Sequence, residues 1–168
     1  MIVLGIDPGT ANTGYGVVMR RSGRLSALDG GVITTRPELS PERRLALIHR
    51  RVLDLAAEHE VDAFALEDVY FGQNAHSAFA VGQARGVVML AGALHGAPCC
   101  SYTPQQVKAA VCGQGRAPKD QVARMVQALL GLSDPPSPDH ASDALAVAIC
   151  HANAAPLARA LQHAGAGR

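Results

Sequence analysis

The chain opens on an apolar run, Ile2 to Ile6, that delivers a carboxylate, Asp7, and breaks at Pro8-Gly9. A short apolar run closed by a Pro-Gly turn predicts a buried strand whose last residue sits at a rigid tip. Gly14 to Met19 is again apolar and β-rich, a second strand. After the turn Arg21-Ser22-Gly23, Leu25 to Thr34 predicts a third strand, interrupted by Gly30-Gly31. Successive strands with short connections predict an antiparallel meander. The period then changes. Ser40-Pro41 offers an N-cap with proline at the first helical position. Leu45, Ile48, Val52 and Leu55 recur at helical spacing, predicting an amphipathic helix to about Glu60. Its Arg43, Arg44, Arg50 and Arg51 fall on a solvated face.

Val61 to Glu67 is a fourth strand, and it too ends on an acid. The stretch from about Ala75 to His95 reads as a helix containing Gly82, Gly86 and Gly92. Each glycine costs a helix about 1 kcal/mol relative to alanine, so three of them predict close backbone packing, on the sheet or on another subunit. Cys99 to Tyr102 is a fifth strand; Thr103-Pro104 starts a helix that Gly113 ends, and Pro118 starts another that ends at Gly131. Asp134-Pro135-Pro136-Ser137-Pro138 is a stiff linker before a last helix, about Asp139 to Asn153. Residues 1–153 are therefore expected to form one domain, with 154–168 a flexible C-terminal tail. The order of elements predicts an α/β fold, a mixed five-stranded sheet flanked by helices on both faces. Sites in such sheets lie beyond the carboxyl ends of parallel strands, where Asp7 and Glu67 would meet if the first and fourth strands are neighbours.

Composition adds little until it is localised. The 168 residues are 48% hydrophobic, enough for a sizeable core, and the net charge is only +1. Yet residues 69–119 carry Arg85, Lys108, Arg116 and Lys119 and no acid, a local charge that attracts a polyanion. The four cysteines, Cys99, Cys100, Cys112 and Cys150, form no C-x-x-C pair. With no signal peptide ahead of Gly5 and no membrane-length apolar run, the expectation is a soluble, reduced, cytoplasmic protein.

The last helix supplies the remaining chemistry. In Asp139-His140-Ala141-Ser142-Asp143, His140 and Asp143 are three apart and share a face. The helix dipole accounts for Asp139 but gives no reason for the imidazole. Asp7, Glu67, Asp143 and His140 make a hard-oxygen set with one imidazole, suited to Mg²⁺ or Mn²⁺. Two such ions about 3.5–4 Å apart activate water and stabilise the leaving oxygen in phosphodiester hydrolysis.

Several segments carry a more specific signal: Gly5-Ile-Asp-Pro-Gly-Thr, Thr13-Gly-Tyr-Gly-Val, Ala65-Leu-Glu67, Gly82-Gln-Ala-Arg-Gly86, Gln106-Val-Lys108, Pro118-Lys119 and Asp143-Ala-Leu-Ala. In this order and spacing the chain resembles the RuvC family of Holliday-junction resolvases, with their ribonuclease H-like fold, from Ile2 to about Ala152. The resemblance implies a metal-dependent endodeoxyribonuclease that resolves four-way junctions by symmetric nicks in recombination and repair. It implies a catalytic set of Asp7, Glu67, His140, Asp143 and Lys119, with Asp7, Glu67, His140 and Asp143 toward metal, two ions per site. His140 departs from the acid usual at its position, which leaves metal ligation and proton transfer both open. Tyr70 stands where the family has an aromatic that meets unstacked bases. Tyr70, Lys108, Lys119, Arg116 and Arg85 form the expected DNA-binding set. A two-fold junction implies a homodimer, with the glycine-rich helix as its expected interface, and the family implies a branch-migration motor as partner. Two other classes compete: an actin- or Hsp70-like nucleotide-binding lobe, whose strand-Asp-x-Gly-Thr turn is similar, and a non-catalytic junction-binding module. The first needs two lobes, and the second leaves clustered carboxylates without use.

Overall fold

The computed structural model describes residues 1–68 and 75–165, with side chains described outside 75–77 and 156–165. Strand β1 (Ile2–Asp7) pairs antiparallel with β2 (Asn12–Arg21), which pairs antiparallel with β3 (Arg24–Thr34). On its other side β1 pairs parallel with β4 (Ala63–Glu67), and β4 parallel with β5 (Cys99–Tyr102). The sheet therefore has five strands in the order β3-β2-β1-β4-β5. The helices are α1 (Pro41–Glu58), α2 (Ala75–His95), α3 (Pro104–Cys112), α4 (Lys119–Leu130) and α5 (Asp139–Gly165).

Strand alternation divides the core in two. Val3, Val18 and Ala65 face one way, into a cluster with α3, α4 and α5. Leu4, Ile6, Val17, Phe64 and Leu66 face the other way, against α1 and α2. Both faces of β1 and β4 are covered, so those strands read as continuous apolar runs. The mixed sheet with helices on both faces is the expected architecture, and the parallel pairing of β1 with β4 is what positions the site.

Several local expectations are corrected. Gly30-Gly31 does not interrupt β3; Gly31 pairs across the ladder with Tyr15, and a Cβ there would meet the Tyr15 hydroxyl at 2.9 Å. The irregularity lies instead at Val17/Val18, opposite Asp29 and Ala27, where the extra residue Leu28 bulges out. Strand β2 is longer than the apolar core 14–19, because its polar ends still complete the ladder with β3. Ser40 occupies the N-cap of α1 without capping it; its hydroxyl bonds Glu42 instead. Arg44 leaves the solvated face to donate from Nε to Thr35 Oγ1 at 2.7 Å. Helix α1 ends at Glu58, since Glu60 turns to a positive φ of 51°. Strand β4 starts at Ala63, and α5 continues past Asn153 to Gly165, its next residues Ala154 and Ala155 being strong helix formers.

Candidate active site

Asp7 ends β1 and Glu67 ends β4, and the register pairs Ile6 with Leu66, so the two acids are side by side at neighbouring carboxyl ends. The turn beyond Asp7 is pinned by buried hydroxyls. Thr13 Oγ1 donates to the Gly9 carbonyl at 2.5 Å, and Thr35 Oγ1 donates to the Thr10 carbonyl at 2.6 Å. Helix α5 then brings its first turn over the same point because the strands beneath it carry glycine. A Cβ on Gly5 would overlap the carbonyl oxygen of Ala144 and lie 2.7 Å from the Ala148 nitrogen. A Cβ on Gly14 would overlap the carbonyl oxygen of His140, and one on Gly16 would sit 2.7 Å from the Leu145 side chain. The backbone contact sets His140 Nδ1 2.7 Å from Asp7 Oδ2.

The three carboxylates are compensated in three different ways. Asp7 is bonded to His140. Asp143 is paired with Lys119, whose Nζ lies 3.1 Å from its Oδ2 and 3.2 Å from Asp139 Oδ2. Among the described residues Glu67 has no such partner. Burial first, then the charges of Asp7 and Asp143, push its carboxyl up to about 7, against the opposing pull of Lys119 and Lys108. Burial also raises Asp143, with Lys119 opposing. For Lys119, burial favours the neutral form but is outweighed by Asp143 and Asp139, which raise it. The centre thus holds more negative charge than its own cations neutralise, a donor set of hard oxygens that fits a divalent ion. Among the described residues no three acid, imidazole or thiol side chains converge as they stand to hold one ion. Asp143 is instead paired with Lys119, and His140 is bonded to Asp7.

The remaining expected residues divide. Lys108 and Lys119 line one cleft with Glu67 and Asp143. A second cleft lies on the other side of His140, walled by Thr10, Asn12, Arg44, Leu45 and Gln83. Arg116 is exposed in the loop between α3 and α4. Tyr70 lies outside the described residues. Arg85 is placed differently from the other cations: Nη1 donates to the Glu67 carbonyl at 2.8 Å, and Nη2 pairs with Asp68 Oδ1 at 2.8 Å. Sequence reasoning accounts for Asp139 by the helix dipole alone and misses it as a partner of Lys119. It missed the two threonines as well, although Thr13, polar at the start of an apolar strand, was a signal.

Strand-end carboxylates faced by the first turn of a helix, on a sheet of this order, define a nuclease core of the ribonuclease H type. The chain belongs to the RuvC family: the profile of Crossover junction endodeoxyribonuclease RuvC matches residues 3–151. A protein of that description from Moorella thermoacetica is 53% identical over 156 residues, covering 93% of each chain. The structure of Thermus thermophilus RuvC superposes with a TM-score of 0.87 at 39% identity, over 94% of this chain and 97% of that one. T. thermophilus RuvC in complex with a Holliday junction substrate gives 0.86 at 37% identity, over 94% and 96%. The chain is an endodeoxyribonuclease of this family, and the competing nucleotide-binding lobe is not favoured.

Proposed function

We propose that this protein resolves four-way DNA junctions as a homodimer, each subunit nicking one of two strands of like polarity. The observation that carries the reading is the side-by-side placement of Asp7 and Glu67 at parallel strand ends, with His140 2.7 Å from Asp7. Asp7, Glu67 and Asp143 would hold Mg²⁺ or Mn²⁺, with His140 as a further ligand or proton carrier. Divalent ions supply an activated water and charge stabilisation at the leaving oxygen. The chain's own groups do the rest. Lys119 stands between Asp139 and Asp143, at the edge of the carboxylates, where it would be placed to meet a phosphate oxygen. Lys108, in the same cleft, adds a second positive charge on that side. Arg116 extends the basic surface, and Tyr70 is assigned to the opened bases by its place in the family pattern.

The subunit contact is assigned to α2. Phe79 is 68% exposed and Leu94 64%, with Met89 and Leu90 also open, an apolar patch that water disfavours. Among the described residues a Cβ on Gly82 or Gly86 would meet nothing within 4 Å, which leaves room for a second helix to approach. The cleavage test is a labelled synthetic four-way junction with Mg²⁺ or Mn²⁺, beside the Asp7→Asn protein. Paired symmetric nicks by the wild type alone are expected. Tight binding without nicks in either metal would leave a binding module, and no junction preference would reject the substrate.

A further inference from the structure

By sequence Arg85 is one of four cations in an acid-free stretch, and a phosphate contact is its natural reading. Its surroundings argue against that use. Nη1 donates to the backbone carbonyl of Glu67 at 2.8 Å. Nη2 meets Asp68 Oδ1 at 2.8 Å and the Ser101 hydroxyl. The charge is thus matched by Asp68, and both terminal nitrogens are engaged within the chain. A guanidinium committed in this way has little left for a phosphate.

What it holds is the end of β4. The parallel ladder with β5 closes with Glu67 opposite Tyr102, and the last backbone bond runs from the Asp68 nitrogen to the Tyr102 carbonyl at 2.8 Å. That bond fixes the edge of β4 toward β5. Arg85 reaches from α2 to the carbonyl of Glu67 itself, and through Ser101 it also grips β5. A planar fork bonded to a carbonyl, a carboxylate and a hydroxyl sets orientation as well as distance. The direction of the Glu67 side chain follows from its backbone, so the clamp sets where the least compensated carboxylate of the site points.

We propose that Arg85 is a positioning residue for Glu67, holding that carboxylate in place for the divalent ion rather than binding DNA. The inference rests on the reading of Glu67 as a metal ligand. It also ties the site to α2, the helix whose exposed Phe79, Met89, Leu90 and Leu94 form the proposed subunit face.

The test measures ion binding and DNA binding separately in the full chain. Free Mn²⁺ is followed by electron paramagnetic resonance as protein is titrated, for wild type, Arg85→Ala, Arg85→Lys, Asp68→Asn and Glu67→Gln. Arg85→Ala is expected to weaken Mn²⁺ binding about tenfold, the lower end of the effect of removing a group that orients a ligand. Asp68→Asn, which loosens the clamp without removing it, is expected to give a smaller shift in the same direction, and serves if Arg85→Ala does not fold. Arg85→Lys restores the charge but not the fork and should recover only part of the loss. Junction affinity in EDTA should stay within about twofold of wild type in each, with the same dependence on salt. Unchanged Mn²⁺ affinity in the folded Arg85→Ala or Asp68→Asn proteins would overturn the positioning role alone. A fall in metal-free junction affinity with a salt slope reduced by about one would make Arg85 a phosphate contact instead. If Glu67→Gln binds Mn²⁺ as wild type does, the reading of Glu67 as a ligand fails, and the role of Arg85 with it.

Discussion

Under α5, Gly5, Gly14 and Gly16 lie so close to the helix that any Cβ would overlap or press upon its backbone or the Leu145 side chain. On the outer side of α2, a Cβ on Gly82 or Gly86 would meet nothing within 4 Å among the described residues. The same residue type does opposite work on the two sides of the sheet. In β1 and β2 the missing side chains let a helix lie directly on the strands, and that contact carries His140 and Asp143 over Asp7. In α2 they leave an open, apolar helix surface beside Phe79, Leu90 and Leu94. A glycine is therefore informative only through what stands opposite it, and substitution is the way to separate the two cases.

The largest effect is expected at Gly14. A methyl group there must displace the backbone of α5 at His140, since no flexible side-chain end is available to yield. Gly14→Ala should destabilise the protein by about 3 kcal/mol, the upper part of the range for overpacking a tight contact. Denaturant unfolding measures this, and the surviving folded protein should cleave junctions poorly because His140 and Asp143 have moved. Wild-type stability in Gly14→Ala would mean that α5 can lift off the sheet freely, and the contrast with α2 would lose its basis.

The next effect concerns what the close approach of α5 does to charge. Glu67 is pushed up to about 7 by burial and by Asp7 and Asp143, against an ordinary value of 4.5. In metal-free protein the folded state keeps a proton between those values that the unfolded chain has released. The unfolded state then binds fewer protons, so stability falls as pH rises through that window and levels off above about 7. The melting temperature of EDTA-treated protein should drop between about pH 5 and 7.5. Glu67→Gln should remove much of that slope. Divalent-ion affinity should move the other way, improving as Glu67 ionises. A melting profile indifferent to the Gln substitution would show that the carboxylates are not crowded as described.

How much of this could be read in the chain depends on range. Asp7 and Glu67 were legible because each ends an apolar run, and run and terminus are adjacent in sequence. The pairing of β1 with β4 stays a condition in the sequence, and the fold supplies it. The role of the glycines of β1 and β2 is not visible in the sequence, because their partner, α5, is more than a hundred residues away. Gly30-Gly31 was read as an interruption for the same reason; its explanation is the Tyr15 ring across the ladder. By sequence Arg85 is a cation in an acid-free stretch, and its contacts with Asp68, Ser101 and the Glu67 carbonyl come together only in the fold. Ser40 shows the limit at short range: the capping residue is present, yet Glu42 competes successfully for its hydroxyl.

A smaller effect should appear at the far end of the α5 contact. Tyr102, on β5, shares a hydrogen bond with His151 Nδ1 at 2.8 Å, and burial pushes its phenol up to about 12, so the hydroxyl stays neutral. Tyr102→Phe should cost about 1 kcal/mol in urea unfolding, the worth of one hydrogen bond in a packed environment. Tyr102 stands opposite Glu67 in the ladder, but its hydroxyl bonds α5 about two turns beyond Asp143, so cleavage should be little changed. Loss of cleavage with stability intact would extend the functional part of α5 well beyond its first turns.

The smallest change should have the opposite sign, and it completes the contrast. Gly82→Ala adds a methyl to a helix position where, among the described residues, nothing lies within 4 Å of it. Alanine is the better helix former by up to about 1 kcal/mol, so within a single chain the substitution should stabilise slightly. If α2 is the subunit face, the added methyl also stands where a second helix must approach. The two effects separate by concentration, because only the dimer depends on it. At low protein concentration the melting temperature should rise relative to wild type; at high concentration the gain should shrink or reverse. Sedimentation of Gly82→Leu/Gly86→Leu gives the stronger form of the same test, with monomer expected. A gain that is equal at all concentrations, together with a dimeric double variant, would place the subunit contact elsewhere and leave the α2 glycines as open surface only.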